Sequence, residues 1–207
     1  CYSFHGSKNY VSGEGGALII NNDNNKIKER AEIIREKGTN RAKFIRGKVD
    51  KYSWVDEGSS YLPSDLLMAV LYAQLEELEK IKKLRKDIFE RYYDNLKNYL
   101  NSSYLDRISY IPENRDSNYH IFYLKFHNKN IRDNVLKELQ NRGISATFHY
   151  IPLHNSAMGR KLGYNADDLK ISNEVSESIL RLPIYPDLSD EQVSYIIENI
   201  ADLFKEL

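Results

Sequence analysis

The 207-residue sequence predicts an α/β fold that continues into a small α+β domain with an antiparallel sheet. Two short apolar segments flank a glycine-rich turn near the start. Apolar residues then recur at helical spacing over a long stretch, and strand-like and helical segments alternate in the remainder. We therefore divide the chain into an incomplete α/β domain at 1–65, a long connecting helix at 66–100 and a C-terminal α+β domain at 101–207.

The first domain is predicted to open with a strand over residues 2–5. The glycine-rich turn 13–16 follows, and then a fully apolar strand over 17–20. The apolar spacing of residues 26–38 predicts a helix that ends at its terminal glycine. Residues 39–60 have no clear period and carry basic side chains among aromatic ones, so we expect a long basic loop there.

The connecting helix is predicted to start at Ser64, which is a good N-cap, with the negative charge of Asp65 in the first turn. Apolar residues recur every three or four positions as far as Tyr99, which predicts an unbroken helix. Its charged middle, residues 76–86, is expected to be exposed to solvent.

The last domain is predicted to alternate strands and helices. The elements expected are a strand over 119–126, a helix over 131–141, an extended segment over 145–151 and a helix over 172–182. A final helix begins after Ser189, because Gln192 three residues later completes a capping box.

The composition argues against several classes of function. The chain has 30 basic and 30 acidic residues, so its formal net charge is zero and no long-range field attracts it to nucleic acid or to an acidic membrane. A single cysteine cannot form an internal disulfide, and the longest apolar stretch, residues 66–73, is too short to span a bilayer. We expect a cytoplasmic protein without nucleic-acid or membrane partners.

Lys8 is the first candidate for chemistry. It lies between a short predicted strand and a glycine turn, and a lysine in a partly desolvated pocket loses its proton readily enough to form a Schiff base. The alternative is an ordinary surface lysine, which is the commoner case for a lysine taken alone.

The residues around Lys8 form a longer pattern. Residues 3–9 have the sequence SFHGSKN, and residues 13–17 have the sequence GEGGA. This pattern resembles the lysine segment of the fold-type I sugar-nucleotide aminotransferases, which depend on pyridoxal phosphate (PLP). Further matching segments lie at 29–41, 50–54, 58–65 and 148–154. The resemblance spans nearly the whole chain.

The resemblance implies a fold-type I architecture in which residues 1–65 end the large cofactor domain. Lys8 would form the Schiff base with PLP and move the proton between the cofactor and the substrate carbons. Ser3 would donate its hydroxyl to the cofactor phosphate, although a turn-type bond to its own backbone is the alternative. The related sugar 3-dehydratases have histidine in place of this lysine, so Lys8 argues against dehydration.

The resemblance also implies a reaction and an assembly. The amino group of glutamate would pass to C4 of a dTDP-linked 4-keto-6-deoxyhexose, for use in cell-surface polysaccharide. The active site would lie at a homodimer interface, with a phosphate contact from the partner's residues 58–61. Many relatives have asparagine in this segment. Here Ser59 or Ser60 would serve, and hydrogen bonding at the helix entry ahead of Pro63 is the alternative.

A second constellation contains His149, Tyr150 and His154. Pro152 fixes an extended loop between the histidines, and the resemblance places this loop at the mouth of the sugar pocket, so we expect substrate contacts. A zinc site requires three or four ligands and no third histidine or cysteine is near, so we expect no metal. Buried structural histidines are the other alternative.

Arg41 opens the basic segment 41–51. Its guanidinium can donate paired hydrogen bonds to a nucleotide diphosphate, and neighbouring aromatic residues can stack on a base. The alternative is a solvated charged surface.

The start of the chain carries a further expectation. In the resembled family, an aspartate for the pyridine nitrogen, a residue stacked on the ring and a phosphate-binding helix all precede the lysine by many residues. Only seven residues precede Lys8. We therefore expect a C-terminal half that has little transaminase activity by itself. The alternative function is a non-catalytic portion that serves in folding or dimer assembly and needs the missing half.

Overall fold

The computed structural model describes all residues from 1 to 207. The chain divides into two compact units, residues 1–78 and residues 79–207.

Residues 1–78 contain two short strands and three helices. These are β1 (Tyr2–Ser3), β2 (Gly16–Ala17), α1 (Asn25–Arg35), α2 (Arg41–Ile45) and α3 (Asp65–Glu76). β1 and β2 pair antiparallel. The strands are shorter than predicted, and Leu18 and Ile19 of the expected apolar strand are 60% and 57% exposed. A two-stranded ribbon has no third strand to extend it, which explains the early end of pairing.

Local signals explain the helices of this unit. The side chain of Asn24 accepts a hydrogen bond from the Lys26 amide at the start of α1, and Gly38 follows its end with a φ of +75°. The side chain of Ser64 caps α3 as predicted. The expected long basic loop is wrong in its first part, because α2 forms there. Leu71 is the one buried large hydrophobic residue of the unit.

Residues 79–207 contain a four-stranded sheet and five helices, the first of which begins at the unit boundary. The elements are α4 (Leu78–Leu96), β3 (Leu105–Ile108), β4 (Phe122–Phe126), α5 (Lys129–Asn141), β5 (Thr147–Phe148), α6 (Ala157–Lys161), α7 (Lys170–Ser178), β6 (Ile179–Leu182) and α8 (Asp190–Glu206). The strand order is β3-β4-β6-β5, and every neighbouring pair is antiparallel. The predicted antiparallel sheet is present.

The prediction of one unbroken connecting helix is wrong, because α3 and α4 are separate helices that meet at Glu77. Residues 76–86 are not uniformly exposed either: Ile81 and Arg85 are buried. Nη1 of Arg85 donates to the Ile184 carbonyl at 2.9 Å, which satisfies part of the guanidinium in the interior.

The prediction of a helix over 172–182 is also wrong in its second half. Residues 179–182 form β6, which pairs with both β4 and β5. Leu180 and Leu182 belong to the hydrophobic core, while Ile179 and Arg181 line a cavity outside it. This alternation is the period of a strand. β3 was not predicted.

One hydrophobic core fills this unit, and all of its buried members lie within residues 88–204. Tyr92 is fully buried, and its hydroxyl donates to the Pro183 carbonyl at 2.9 Å. Burial raises the pKa of this phenol. The predicted capping box of α8 is confirmed: Ser189 and Gln192 each accept the other's backbone N–H, at 3.3 and 2.9 Å.

No helix of the protein combines the length and the apolar character that a membrane crossing requires.

Candidate active site

Lys8 lies on a tight turn that follows β1. Its backbone N–H donates to the His5 carbonyl at 2.9 Å, and the Ser7 N–H donates to Nδ1 of His5 at 3.3 Å. The Gly6 N–H donates across to the Gly13 carbonyl at 2.8 Å. The Lys8 side chain is exposed, so residues 1–207 do not themselves form the partly desolvated pocket that was expected around it. The turn therefore presents a primary amine from a backbone that is fixed by hydrogen bonds.

The glycine turn permits a close approach of the two strands. A Cβ on Gly16 would lie 2.7 Å from the Tyr2 carbonyl oxygen, which is closer than real Cβ atoms come to other heavy atoms. The Phe4 N–H donates to the Gly15 carbonyl at 2.9 Å and closes the ribbon. The close approach of β1 and β2 therefore requires a residue without a Cβ at Gly16.

Ser3 lies on the same ribbon as Lys8. Its Oγ accepts a long 3.5 Å hydrogen bond from the His5 N–H, which is the turn-type alternative that the sequence left open. Because the oxygen acts there as acceptor, its hydroxyl hydrogen is still available to donate to an anion.

Ser59 and Ser60 lie beside the C-terminal end of α1. The Ser59 N–H donates to the Ile34 carbonyl at 3.0 Å, and the Lys37 N–H donates to the Ser59 carbonyl at 3.0 Å. The helix-entry role belongs instead to Ser64, whose Oγ accepts from the Leu67 N–H at 3.4 Å. Both hydroxyls are exposed and make no hydrogen bond within the chain.

A glycine contact holds this serine segment against α1. A Cβ on Gly58 would lie 2.2 Å from the backbone nitrogen of Gly38. The segments that contain Gly38 and Gly58 can therefore cross at this distance only because both residues are glycine. The consequence is a fixed position for the backbone of Ser59 and Ser60.

Arg41 is engaged within the chain. Its Nη1 donates to Oε1 of Glu36 at 3.2 Å, and Glu36 is buried with its second oxygen, Oε2, unpartnered. Lys43 pairs with Glu29 at 2.8 Å. Glu29 of α1 and Glu36, which directly follows α1, therefore neutralise basic side chains of α2.

These ion pairs shift the titration of their carboxylates. The hydrogen bond from Lys43 holds the pKa of Glu29 below its usual value, and the hydrogen bond from Arg46 does the same for Glu32. Both acids are ionised at neutral pH, so the positive charge that a diphosphate would meet at α2 is reduced.

In residues 79–207, His149 lines a cavity of about 330 Å³. Partial burial of the imidazole and the positive charge of Arg181 lower its pKa below the usual 6.5. The ring of Tyr150 has its centre 6.1 Å from that of His149, and the Arg181 guanidinium lies 5.7 Å from the centre of the Tyr150 ring. These three side chains form one group.

His154 does not join that group at the cavity wall. It lies in a short 3₁₀ helix, Leu153–Asn155, and is buried with Nε2 lacking a hydrogen-bond partner. The placement matches the buried-histidine alternative rather than the presentation of both imidazoles to a sugar. No group of three His, Cys, Asp or Glu residues has an arrangement that would hold a metal ion.

The sequence reasoning missed Arg181, Tyr123 and Ser109, which also line the cavity. Arg181 fell inside the wrongly predicted end of a helix. The signal that was available is the alternation Ile-Leu-Arg-Leu ahead of Pro183, which is typical of a strand that ends at a proline.

The comparisons with known proteins agree with the family resemblance of the sequence. A family model described as the DegT/DnrJ/EryC1/StrS aminotransferase family matches residues 1–201. This chain belongs to that family. The family's aminotransferases depend on PLP.

The names of two relatives in the DegT/DnrJ/EryC1/StrS family refer to different nucleotide sugars. GDP-perosamine synthase of Vibrio cholerae is 27% identical over 98% of this chain and 52% of its own length. The UDP-4-amino-4,6-dideoxy-N-acetyl-beta-L-altrosamine transaminase of Helicobacter pylori is 23% identical over 99% of this chain and 52% of its own. The chain spans about half the length of the curated relatives it matches.

The fold agrees with that of solved aminotransferases. The aminotransferase TlmJ from Streptoalloteichus hindustanus superposes with a TM-score of 0.83 and 25% identity, over 99% of this chain and 52% of that one. The predicted fold-type I parent architecture is confirmed.

The donor set on the ribbon fits PLP. A Schiff base requires a primary amine, which Lys8 offers from an exposed position, and a phosphate requires hydrogen-bond donors, of which the Ser3 hydroxyl is one. The glycine approach at Gly16 fixes the backbone that carries both residues.

Proposed function

We propose that the protein containing this chain is a PLP-dependent aminotransferase. It transfers the amino group of glutamate to C4 of a nucleotide-linked 4-keto-6-deoxyhexose, and dTDP is the nucleotide. The observation that carries the proposal is the hydrogen-bonded, glycine-supported turn that bears Lys8, in a chain whose family model covers residues 1–201.

The proposed roles follow from the chemistry of each side chain. Nζ of Lys8 would hold the cofactor and, once released, would move a proton from Cα of the donor to the cofactor carbon. In the second half-reaction, it would move a proton from that carbon to C4 of the sugar. The Ser3 hydroxyl would donate to the cofactor phosphate. The chemistry supplied by bound PLP is the temporary storage of the amino group.

A homodimer is part of the proposal. Ser59 and Ser60 have free hydroxyls on a backbone fixed by the contact of Gly58 with Gly38. One of these hydroxyls would reach the phosphate in the partner's site. His149 and Tyr150 would contact the sugar nucleotide, while the pairing of Arg41 with Glu36 argues for a structural role for that arginine.

The choice of dTDP rests on the segments 29–41, 50–54, 58–65 and 148–154. They are similar to dTDP-4-amino-4,6-dideoxygalactose transaminase, whereas the relatives named above act on UDP- or GDP-linked sugars. A competition among dTDP-, UDP- and GDP-linked keto sugars, with glutamate as donor, tests the choice. Faster amination of a UDP or GDP sugar contradicts it.

The test of the cofactor role is trapping by borohydride. The product of the complete reading frame is mixed with PLP and reduced, and its intact mass and tryptic peptides are measured. We expect one phosphopyridoxyl adduct, on Lys8, and none in Lys8→Arg.

Lys28→Arg is the matched control, because Lys28 is also exposed and lies outside the motif. This variant should keep the adduct. Adducts spread over several lysines, or an adduct that survives Lys8→Arg, would refute the assignment. The same trapping on residues 1–207 alone decides whether this portion holds the cofactor without the rest of the protein.

A further inference from the structure

His5 lies between Ser3 and Lys8, the two residues of the ribbon that the proposed function uses. Its backbone N–H donates to Oγ of Ser3 at 3.5 Å, and its carbonyl accepts the Lys8 N–H at 2.9 Å. Its ring nitrogen Nδ1 accepts the Ser7 N–H at 3.3 Å. One residue therefore bonds to the segment 3–8 through its N–H, its carbonyl and its ring.

The ring contact determines which nitrogen of the imidazole carries the hydrogen. A backbone N–H can only donate, so Nδ1 of His5 offers its lone pair and the ring hydrogen of the neutral imidazole lies on Nε2. Oγ of Ser7 lies 3.2 Å from the same nitrogen and can donate to it as well. Both ring contacts of His5 are thus made at Nδ1.

The bond from the Ser7 N–H to the ring closes a turn within the chain. Asparagine and aspartate side chains accept from the backbone N–H two residues later in the same way, in Asx-turns. His5 therefore acts here as an Asx residue would. The Lys8 side chain is exposed and has no hydrogen bond or ion pair within the chain, so the position of its amine depends on the backbone of this turn.

We propose that His5 is a positioning residue for Lys8. By accepting at Nδ1, its ring holds the turn that sets the direction in which the lysine side chain leaves the backbone. The effect passes to the amine through the turn and requires no contact between the imidazole and the cofactor. A reacting group that is displaced by about 1 Å can lose about a hundredfold in rate, so a loosened turn is measurable. The link to cofactor attachment rests on the proposed function.

The first test is independent of the cofactor. The product of the complete reading frame is labelled with ¹⁵N-histidine in mildly alkaline buffer, and a long-range ¹H–¹⁵N spectrum shows which ring nitrogen of His5 carries the hydrogen. The signal is assigned by its loss in His5→Asn. We expect the hydrogen on Nε2. Amide exchange of Ser7 should accelerate in His5→Ala and return towards the wild-type rate in His5→Asn. A ring hydrogen on Nδ1 would overturn the proposal.

The second test compares isosteres in the borohydride trapping of PLP. The oxygen of an asparagine side chain takes the place of Nδ1, whereas the amide of glutamine takes the place of Nε2. At limiting PLP, we expect His5→Ala and His5→Gln to slow formation of the Lys8 adduct by about tenfold. His5→Asn should stay within about threefold of the wild type, because it restores the acceptor for the Ser7 N–H.

His127→Ala is the matched control. The Nε2–H of His127 also donates to a backbone carbonyl, that of Ser102 at 3.1 Å, but both residues lie in residues 79–207. This variant should leave the trapping rate unchanged. If His5→Ala does not fold, the comparison of His5→Asn with His5→Gln still decides.

Two trapping results would contradict the positioning role of His5. One is an equal rate in His5→Ala and the wild type, and the other is rescue by glutamine rather than by asparagine. Absence of a Lys8 adduct in the wild type would instead refute the proposed function. The ring spectrum and the exchange of the Ser7 amide would then decide by themselves whether His5 holds the turn.

Discussion

At His149, two neighbouring effects set the charge of one side chain. Partial burial and the positive charge of Arg181 both lower the pKa of the imidazole below 6.5. The unfolded chain therefore binds this proton at a higher pH than the folded chain does. Above about pH 6.5, His149 therefore does not lower the free energy of unfolding. As the pH decreases from there to the folded-state pKa, the free energy of unfolding falls.

An NMR titration of the histidine Cε1–H signals checks this sign. We expect the pKa of His149 below 6.5 in the wild type, and a higher value in Arg181→Gln, because the repulsion from the guanidinium is removed while burial remains. Arg107→Gln should leave the titration unchanged. A pKa of His149 at or above 6.5 in the wild type would contradict the placement of its ring.

Among the elements, those with complete local signals were the predictable ones. α8 has its capping box and α5 its apolar period within a few residues of sequence. The break at Glu77 has no glycine or proline to mark it, and β6 follows α7 with no residue between them. Pairing with β4, which is distant in sequence, decides that segment.

The residues of the candidate site also differ in whether the local sequence indicates them. Lys8 and its glycines form a contiguous motif, so the sequence alone indicated them. The local alternation around Arg181 indicates a strand, but its position in the cavity lining comes from pairing that places it beside Tyr123, which the local sequence does not show. The engagement of Arg41 by Glu36 required the fold as well.

At the β1–β2 ribbon, a single methyl group is predicted to loosen the pairing. Gly16→Ala places a Cβ against the Tyr2 carbonyl, and relief of that contact should cost about 1–3 kcal/mol. Amide hydrogen exchange of Phe4 and Gly6 should accelerate by roughly tenfold or more.

Gly6→Ala is the control on the same ribbon, because its Cβ would come no closer than 3.9 Å to any atom outside its chain neighbours. Exchange there should change little. Equal acceleration in both variants would show that steric contact at Gly16 is not what holds the ribbon.

Over the whole molecule, hydrophobic burial is unevenly distributed. The core lies within residues 88–204, whereas Leu71 is the one buried large hydrophobic residue of the first 78. Since burial of apolar surface must offset the conformational entropy of the chain, the two units differ in their capacity to fold independently.

We expect residues 79–207 expressed alone to unfold cooperatively in urea, and residues 1–78 alone to show no cooperative transition. Leu180→Ala in the larger fragment should lower the free energy of unfolding by about 2–5 kcal/mol, because Leu180 is fully buried. Circular dichroism measures both. A cooperative transition in residues 1–78 would mean that polar contacts are sufficient to stabilise this fragment without a hydrophobic core.

Trp54 gives the molecule a built-in optical signal. It is the single tryptophan of the chain, and its side chain is 78% exposed. An indole in water emits at long wavelength, so the free chain should show the red emission that is usually associated with unfolded proteins although it is folded. Any molecule that covers this position will move the emission to the blue, which makes fluorescence a label-free reporter of association at residues 1–78.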